Sequence, residues 1–296
     1  MRLFRRREAE QSAMLSLAMG AVIGPSLALV TQQPSPIPAA VGFGLAGAAV
    51  AFAFTARRWI RRYLLLRSEI PASVRKVLDE RVAFYRRLDA EQKREFECNV
   101  RCFLAEHTIA GPRQKELSEE TRVLVAASAA ILLFGREDLD LPSSIDVVVY
   151  PEAFNEEYEV QRKGEILGQA HSQGPVILSE RALREGFSRS SDGQNVGIHE
   201  FAHMLDLEGA RFDGMPSGMD GASARAWASL VHGEIARIEK HRSILRQYGA
   251  TNEAEFFAVA SEAFFERPAA MKEKHPELYR VLSEFYGQDP ASGSKQ

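Results

Sequence analysis

Two long apolar runs without a charge stand near the front of the chain, "AMLSLAMGAVIGPSLALV" at 13–30 and "PAAVGFGLAGAAVAFAFTA" at 38–56. Each is about 18 residues long, which at ~1.5 Å per helical residue just crosses a ~30 Å hydrocarbon core. The polar, proline-rich "TQQPSPIP" between them predicts a turn. From residue 63 onward the period changes. "ASVRKVLDERVAFYRRLDAEQKREFECNVRCFLAEHT" alternates apolar and charged residues at helical spacing. "SEETRVLVAASAAILLFG" (118–135) is apolar nearly all round and predicts a core helix from Ser118 to Gly135. The β-branched run Ile145–Tyr150 predicts a strand ended by Pro151, and "GPVILSE" (174–180) a second. "EGARFDGMPSGMDG" (208–221) is Gly-rich and reads as a loop, either a connector or a lid. Helical spacing returns over 222–245 and over 251–268, where Pro268 is the expected stop, and "DPASGSKQ" reads as a frayed tail.

Charge sharpens the front end. Arg2, Arg5, Arg6 and Arg7 precede the first run, and Arg57, Arg58, Arg61 and Arg62 follow the second. Residues 1–62 hold eight Arg against two Glu, whereas the rest of the chain is acidic. The positive-inside rule then places both ends in the cytoplasm and the short turn outside. Gly20 and Gly24 on the first run, and Ala40, Gly44 and Ala48 on the second, have the small-residue spacing that lets membrane helices approach closely. Pro25 is a candidate kink. A basic start before an apolar run also describes a signal peptide. The second run follows at once, however, and the arginines after it would resist export. The expected organisation is a membrane anchor over 1–62 with helices at about 13–31 and 38–56, a domain over 63–288, and a disordered tail over 289–296.

The chain has 296 residues and a net charge of −3, which argues against a nucleic-acid binder. Cys98 and Cys102 in "ECNVRC" are too few for a disulfide framework and wrongly spaced for a redox pair. They read as buried thiols of a reducing compartment.

The chemistry concentrates in "VGIHEFAHMLDLEG", residues 196–209. His199, Glu200 and His203 have the spacing H-E-x-x-H, so both imidazoles face one side of a helix and can reach one ion. Val196, Ile198, Phe201, Ala202, Met204 and Leu205 interleave with them, which predicts a buried helix where an unpaired imidazole would be costly. Asp206 and Gly209 stand where the metzincin pattern has Gly and a third His, which excludes that class. A third ligand must come from elsewhere, and the helix 251–268 offers Glu253, Glu255, Glu262 and Glu266. Glu255 also follows Asn252 at the spacing of a helix cap. Glu255 and Glu262 share a face but lie ~10 Å apart along the axis, so one ion takes only one of them. Spacing alone leaves both open. Asp206 is placed either to orient a ligand imidazole or simply to be a solvated carboxylate. Val176, Ile177, Leu178 and Ser179 form a candidate edge strand for an extended substrate. His107, His171, His232, His241 and His275 lack any such context and read as ordinary residues.

"HEFAHMLD" followed by "YGATNEAEFFAVASEAFFERP" resembles the Mlc titration factor family, zinc-dependent metallopeptidases of bacteria. The likeness extends over most of residues 80–290, including "VVVYPEAF", "GPVILS" and "NVGIHEFAHMLD". The two metal blocks alone also resemble the catalytic domain of anthrax lethal factor. The resemblance implies that His199, His203 and Glu255 bind zinc, that Glu200 is the general base, and that Tyr248 hydrogen-bonds the oxyanion. It raises Glu255 above Glu262, which is left to a structural or supporting contact. The paired apolar segments lie outside the usual pattern of this family.

The expected fold is α+β, a helix-rich zincin-like metallopeptidase domain with a small mixed sheet behind a transmembrane hairpin. The expected function is zinc-dependent peptide hydrolysis by a zinc-activated water, with one Zn2+ per chain, on the cytoplasmic side of a bacterial inner membrane. Expected partners are a peptide or protein substrate and membrane lipid through residues 13–56, with no nucleic acid. The alternative is a regulatory binding protein that sequesters a transcriptional repressor.

Overall fold

Helix α1 (Arg6–Val30) and helix α2 (Pro36–Arg67) form the first of two units, Met1–Glu69 and Ile70–Gln296, in the computed structural model. The residues described are 6–31, 36–136, 139, 141, 145–152, 168–169, 174–208, 211–212, 214–216, 219 and 221–292. Among the described residues, two windows are long and apolar enough to cross a membrane, Ala13–Val30 with mean hydropathy 2.0 and Ile37–Arg57 with 1.9. The two helices meet at small residues: a Cβ on Gly20 would lie 2.5 Å from the Gly44 carbonyl oxygen. Leu17, Val22, Leu29, Leu45 and Val50 face outward and are exposed. Helix α2 runs past the arginine cluster to Arg67, so the expected boundary at 62 falls inside it. Arginine is a good helix former, and the chain turns only ahead of Pro71.

The second unit begins with α3 (Ala72–Arg81), α4 (Ala83–Arg86) and α5 (Ala90–Glu106). One helical period in the sequence thus becomes three helices. Asp89 causes the second break: its side chain accepts from the amides of Glu91 and Gln92 while Gln92 caps back, a complete capping box. Next come β1 (Thr108–Ala110), α6 (Glu119–Leu133), β2 (Asp146–Tyr150), β3 (Gly168–Gln169) and β4 (Val176–Ser179). They form a small sheet in the order β1-β2-β4-β3, with β1, β2 and β4 parallel and β3 antiparallel to β4. Ser179 ends β4 and caps α7 (Glu180–Ser188) by accepting from the Ala182 amide.

Helix α8 (Val196–Asp206) leads into a short hairpin of β5 (Leu207–Glu208) and β6 (Arg211–Phe212), within the stretch expected to be only loop. Then follow α9 (Gly221–Glu239), α10 (Glu253–Glu266), α11 (Pro268–Lys274) and α12 (Pro276–Tyr286). Helix α9 stops short of the expected residue 245. Pro268 does not merely end α10; it opens α11, where its missing N–H costs nothing. The tail docks through residue 292, since the Ala291 amide donates to the Tyr279 hydroxyl and Lys272 pairs with Asp289. Residues 293–296 of the expected disordered tail lie outside the described residues.

Packing around α8 sets up the site. The helix lies against both α6 and α10. A Cβ on Gly197 would collide with the Ser128 side chain, so glycine there permits the close approach to α6. Phe201 meets Phe103 edge-on at 5.3 Å. On α10, Phe256, Phe257 and Phe264 are fully buried, and Phe264 stacks on Tyr286 of α12. Both helices are therefore fixed by apolar cores on the faces opposite their polar residues.

Candidate metal centre

Asn195 starts α8 by accepting the Ile198 amide on its side chain at 3.1 Å. The helix then brings His199 and His203, one turn apart, to ring centroids 4.9 Å from each other. Asn252 starts α10 by accepting the Glu255 amide at 2.9 Å. The cap uses the backbone of Glu255, so its carboxylate is left to point at α8. Glu255 Oε2 lies 3.0 Å from His199 Nε2 and 3.5 Å from His203 Nε2. Donor atoms of His199, His203 and Glu255 all fall within 4.8 Å of one another.

Glu262 occupies the other side of the same imidazole, with Oε1 2.8 Å from His199 Nδ1. The two glutamates that spacing set against each other thus meet opposite nitrogens of one ring, which spans the gap between them. Glu262 also accepts the Asn195 amide at 2.6 Å and pairs with the Arg246 guanidinium. One turn on, Glu266 accepts the amides of Gly193 and Gln194 and the Asn195 side chain. Two carboxylates of α10 therefore clamp the start of α8. Burial, only partly offset by the Asn195 hydrogen bond, pushes Glu266 up to about 7. Glu253 faces elsewhere, 3.8 Å from His232.

Burial alone would discharge His199, but hydrogen bonds to Glu255 and Glu262 and the charge of Glu200 outweigh it and push its pKa up to about 10. Burial also raises Glu200, against the opposing pull of the two imidazoles. Glu255 is buried as well, yet its hydrogen bonds to His199 and His203 hold it well below the usual carboxylate range. Tyr248 sits in a short 3-10 turn, Gln247–Ala250, half-exposed, with its ring 5.8 Å from that of His199. Burial and the Glu255 charge push its phenol up to about 12, so it stays protonated at neutral pH. A cavity of 290 Å³ opens beside α7, with His199, Glu200, Arg246 and Tyr248 on its wall.

The residues present fit a divalent cation. Tetrahedral zinc with ~2.0–2.1 Å bonds to nitrogen and oxygen places its ligands about 3.3–3.5 Å apart, close to the separations seen here. The donor set of two imidazoles and one carboxylate suits zinc. His199 also holds its Nδ1 on a carboxylate and turns Nε2 to the cluster, as metal-binding histidines do. Its raised proton affinity shows that the spot favours positive charge.

Two expected sites need correction or relocation. Val176, Ile177, Leu178 and Ser179 were expected to be an edge strand, but β4 lies between β2 and β3 and all four residues are buried. Extension of the sheet by β3 was not readable from so short a pairing. Asp206 accepts the Gly214 amide on Oδ2 at 2.9 Å, and Trp227 donates to the Gly214 carbonyl. Asp206 thereby fastens the chain that follows α8.

Among the other histidines, His171 lies outside the described residues. His232 and His241 are exposed, and His107 accepts the Ile145 amide on Nδ1. His275 is the one that sequence reading missed. It is 1% exposed, with Nδ1 2.6 Å from Glu234 Oε2. No local signal announces this pair, whose members come from different helices.

The family model described as glucose-regulated metallo-peptidase M90 matches residues 56–287. An uncharacterized protein of Synechocystis sp. is 29% identical over 273 residues, covering 86% of this chain and 98% of its own length. Mlc titration factor A of Edwardsiella ictaluri is 34% identical over 204 residues, covering 60% of this chain and 76% of its own. Mlc titration factor A of Pectobacterium atrosepticum is 32% identical over 194 residues, covering 60% and 71%.

Proposed function

The chain belongs to the glucose-regulated metallo-peptidase M90 family, alongside the Mlc titration factors A, and from that premise we propose that it is a zinc-dependent peptidase anchored at the cytoplasmic face of a bacterial inner membrane. The observation that carries this reading is the convergence of His199, His203 and Glu255 donor atoms within 4.8 Å, with Glu200 on the wall of the adjoining cavity. In this reading residues 63–288 act as a zincin-like peptidase domain.

Each residue has a distinct task. His199, His203 and Glu255 would hold the zinc, which would supply Lewis acidity to polarise a carbonyl and to lower the pKa of a water towards ~7. Glu200, nearly dry and with a raised proton affinity, takes a proton from the attacking water and delivers it to the leaving amine. The protonated Tyr248 phenol donates a hydrogen bond to the oxyanion as it forms. Glu262 accepts a hydrogen bond from His199 Nδ1, which fixes the ring so that Nε2 is the nitrogen free to bind the ion.

Replacing Glu200→Gln in the purified chain tests the assignment. The variant should keep one zinc per chain and lose peptide hydrolysis by about 10²–10⁴-fold. Wild-type hydrolysis in that variant would sink it. The anchor rests on the two apolar windows and the flanking arginines. A reporter fused after Gln296 should report the cytoplasm, and a periplasmic signal would overturn that topology.

A second reading draws on the relatives' name, which speaks of titrating Mlc. A membrane-held chain of this kind would sequester a transcriptional regulator, with the zinc site structural or weakly active. A regulator that co-purifies undiminished with the Glu200→Gln variant would favour this reading.

A further inference from the structure

Tyr248 and Arg246 reach the cavity from an irregular segment, 243–250, that follows the early end of α9. What holds the start of that segment is a buried polar chain centred on His275, 32 residues beyond Ser243. His275 joins α11 to α12, with its amide donating to Met271 and its carbonyl accepting from Tyr279. Its ring is enclosed. Nδ1 faces Glu234 Oε2 at 2.6 Å, and the other oxygen of Glu234 takes Arg237 Nη1 at 2.9 Å. Nε2 faces Ser243 Oγ at 3.2 Å and the Ile244 amide at 3.4 Å.

These neighbours fix the protonation of the ring. A backbone amide can only donate, so Nε2 must present its lone pair to Ile244. Burial raises the pKa of Glu234, but the hydrogen bond from His275 and the charge and hydrogen bond of Arg237 outweigh it and hold the carboxylate ionised. An ionised carboxylate can only accept, so Nδ1 carries the proton. The Ser243 hydroxyl then donates to Nε2 and uses its own lone pair to accept the Leu245 amide at 3.1 Å. From there the backbone leads to Arg246 and Tyr248, and Arg267 Nη1 donates to the Ile244 carbonyl at 3.2 Å.

We infer that the buried Glu234–His275 pair is a latch that positions segment 243–248, and through it Arg246 and Tyr248, at the metal site. The link from latch to catalysis rests on the peptidase reading; the latch itself does not. His275 touches neither the cluster nor the cavity, so it is a positioning residue. It sets where Tyr248 stands relative to Glu255, not whether the cluster holds its ion.

Two measurements on the full-length chain test this. Amide hydrogen exchange needs no substrate. In His275→Leu, exchange at Ile244 and Leu245 should rise by about tenfold or more while the α8 and α10 amides keep their protection. Unchanged exchange at those two amides overturns the latch whatever the enzyme does. The second measurement is turnover of a peptide substrate. His275→Leu should lower kcat by about tenfold with zinc stoichiometry unchanged. Combined with Tyr248→Phe, it should cost clearly less than it costs alone, because part of its effect passes through that phenol. Fully additive losses overturn the link to Tyr248. His275→Gln, whose amide both donates and accepts, should recover most of the rate; no recovery would count against a hydrogen-bonding latch. Should His275→Leu fail to fold, Ser243→Ala removes one hydroxyl and should speed Leu245 exchange about threefold, with no change again overturning the latch. If the parent protein hydrolyses no peptide, the peptidase reading falls alone and the exchange experiment still decides the latch.

Discussion

Two buried imidazoles in this protein are built alike at one end and oppositely at the other. His199 and His275 each set Nδ1 against a buried glutamate, at 2.8 Å and 2.6 Å, and each glutamate is also held by an arginine. At Nε2 they part. His199 faces the Glu255 carboxylate and His203, an electron-rich space that holds a proton on Nε2 or, in its place, a cation. His275 faces a backbone amide and a hydroxyl, which use up its lone pair. A carboxylate behind a histidine therefore does not by itself make a metal ligand. What decides is whether the far nitrogen meets acceptors or donors.

The largest expected effect breaks the end at which the two differ. Glu255→Gln removes the charged acceptor that His199 and His203 share, and metal affinity should fall by more than the about 10- to 100-fold typical of a supporting residue. Glu262→Gln acts behind the ring and should fall within that range of about 10- to 100-fold. Glu234→Gln makes the same change behind His275 and should leave metal affinity as it was. Zinc titration of the three proteins gives the order directly. Equal losses in Glu262→Gln and Glu234→Gln would erase the distinction between the pairs.

Next in size is the response of the metal-stripped protein to pH. His199 has its pKa raised from 6.5 to about 10, so its proton stabilises the folded state fully below 6.5 and that contribution is lost as pH rises through about 10. The full contribution is at most about 5 kcal/mol. Glu234 has its pKa lowered from 4.5, so its contribution is full above 4.5 and is lost as pH falls. The two pairs thus unload at opposite ends of the scale. Denaturation midpoints of metal-free protein should drop between neutral and alkaline pH, and the drop should shrink in Glu255→Gln. An identical alkaline drop in both proteins would show that the shared Glu255 contact is not its source. With metal bound the sign reverses for His199, because the ion competes with the proton and affinity falls as pH falls.

The uneven legibility of these features has a physical reason. H-E-x-x-H is a local pattern: one helix fixes both imidazoles, so their convergence is readable from spacing. The cap at Asn252 is local too, and it places Glu255 at the start of α10. The simultaneous use of Glu255 and Glu262 was not readable. Their separation along α10 excludes a shared ion, and only the cross-packing of α8 shows that an imidazole bridges them. His275 and Glu234 are 41 residues apart and meet only when α9 packs on the α11–α12 junction. The sheet divides the same way. The β-branched run of β2 announces itself, whereas the two-residue β3 that displaces β4 from the edge carries no signal of its own. The capping box at Asp89 was present in the sequence, and its break in the long helical period went unread.

The smallest expected difference concerns the two arginines. Arg246 and Arg237 each brace one of the glutamates, and their side chains are 32% and 43% exposed. Partly exposed pairs of this kind contribute about 0–1 kcal/mol, so neither replacement should unfold the chain. Glu262 keeps two donors when Arg246 is lost, the His199 ring and the Asn195 amide. Arg246→Gln should therefore weaken zinc binding only about threefold, by relaxing the carboxylate behind His199. It also stands on the cavity wall, so KM should rise. Arg237 is remote from the cavity, and Arg237→Gln should change neither zinc affinity nor KM. It should speed amide exchange at Ile244 slightly, because a looser Glu234 holds His275 less firmly. A matched change in zinc affinity for both variants would mean that the two pairs communicate through the 243–248 segment, and the latch would then bear on metal binding as well as on the placement of Tyr248.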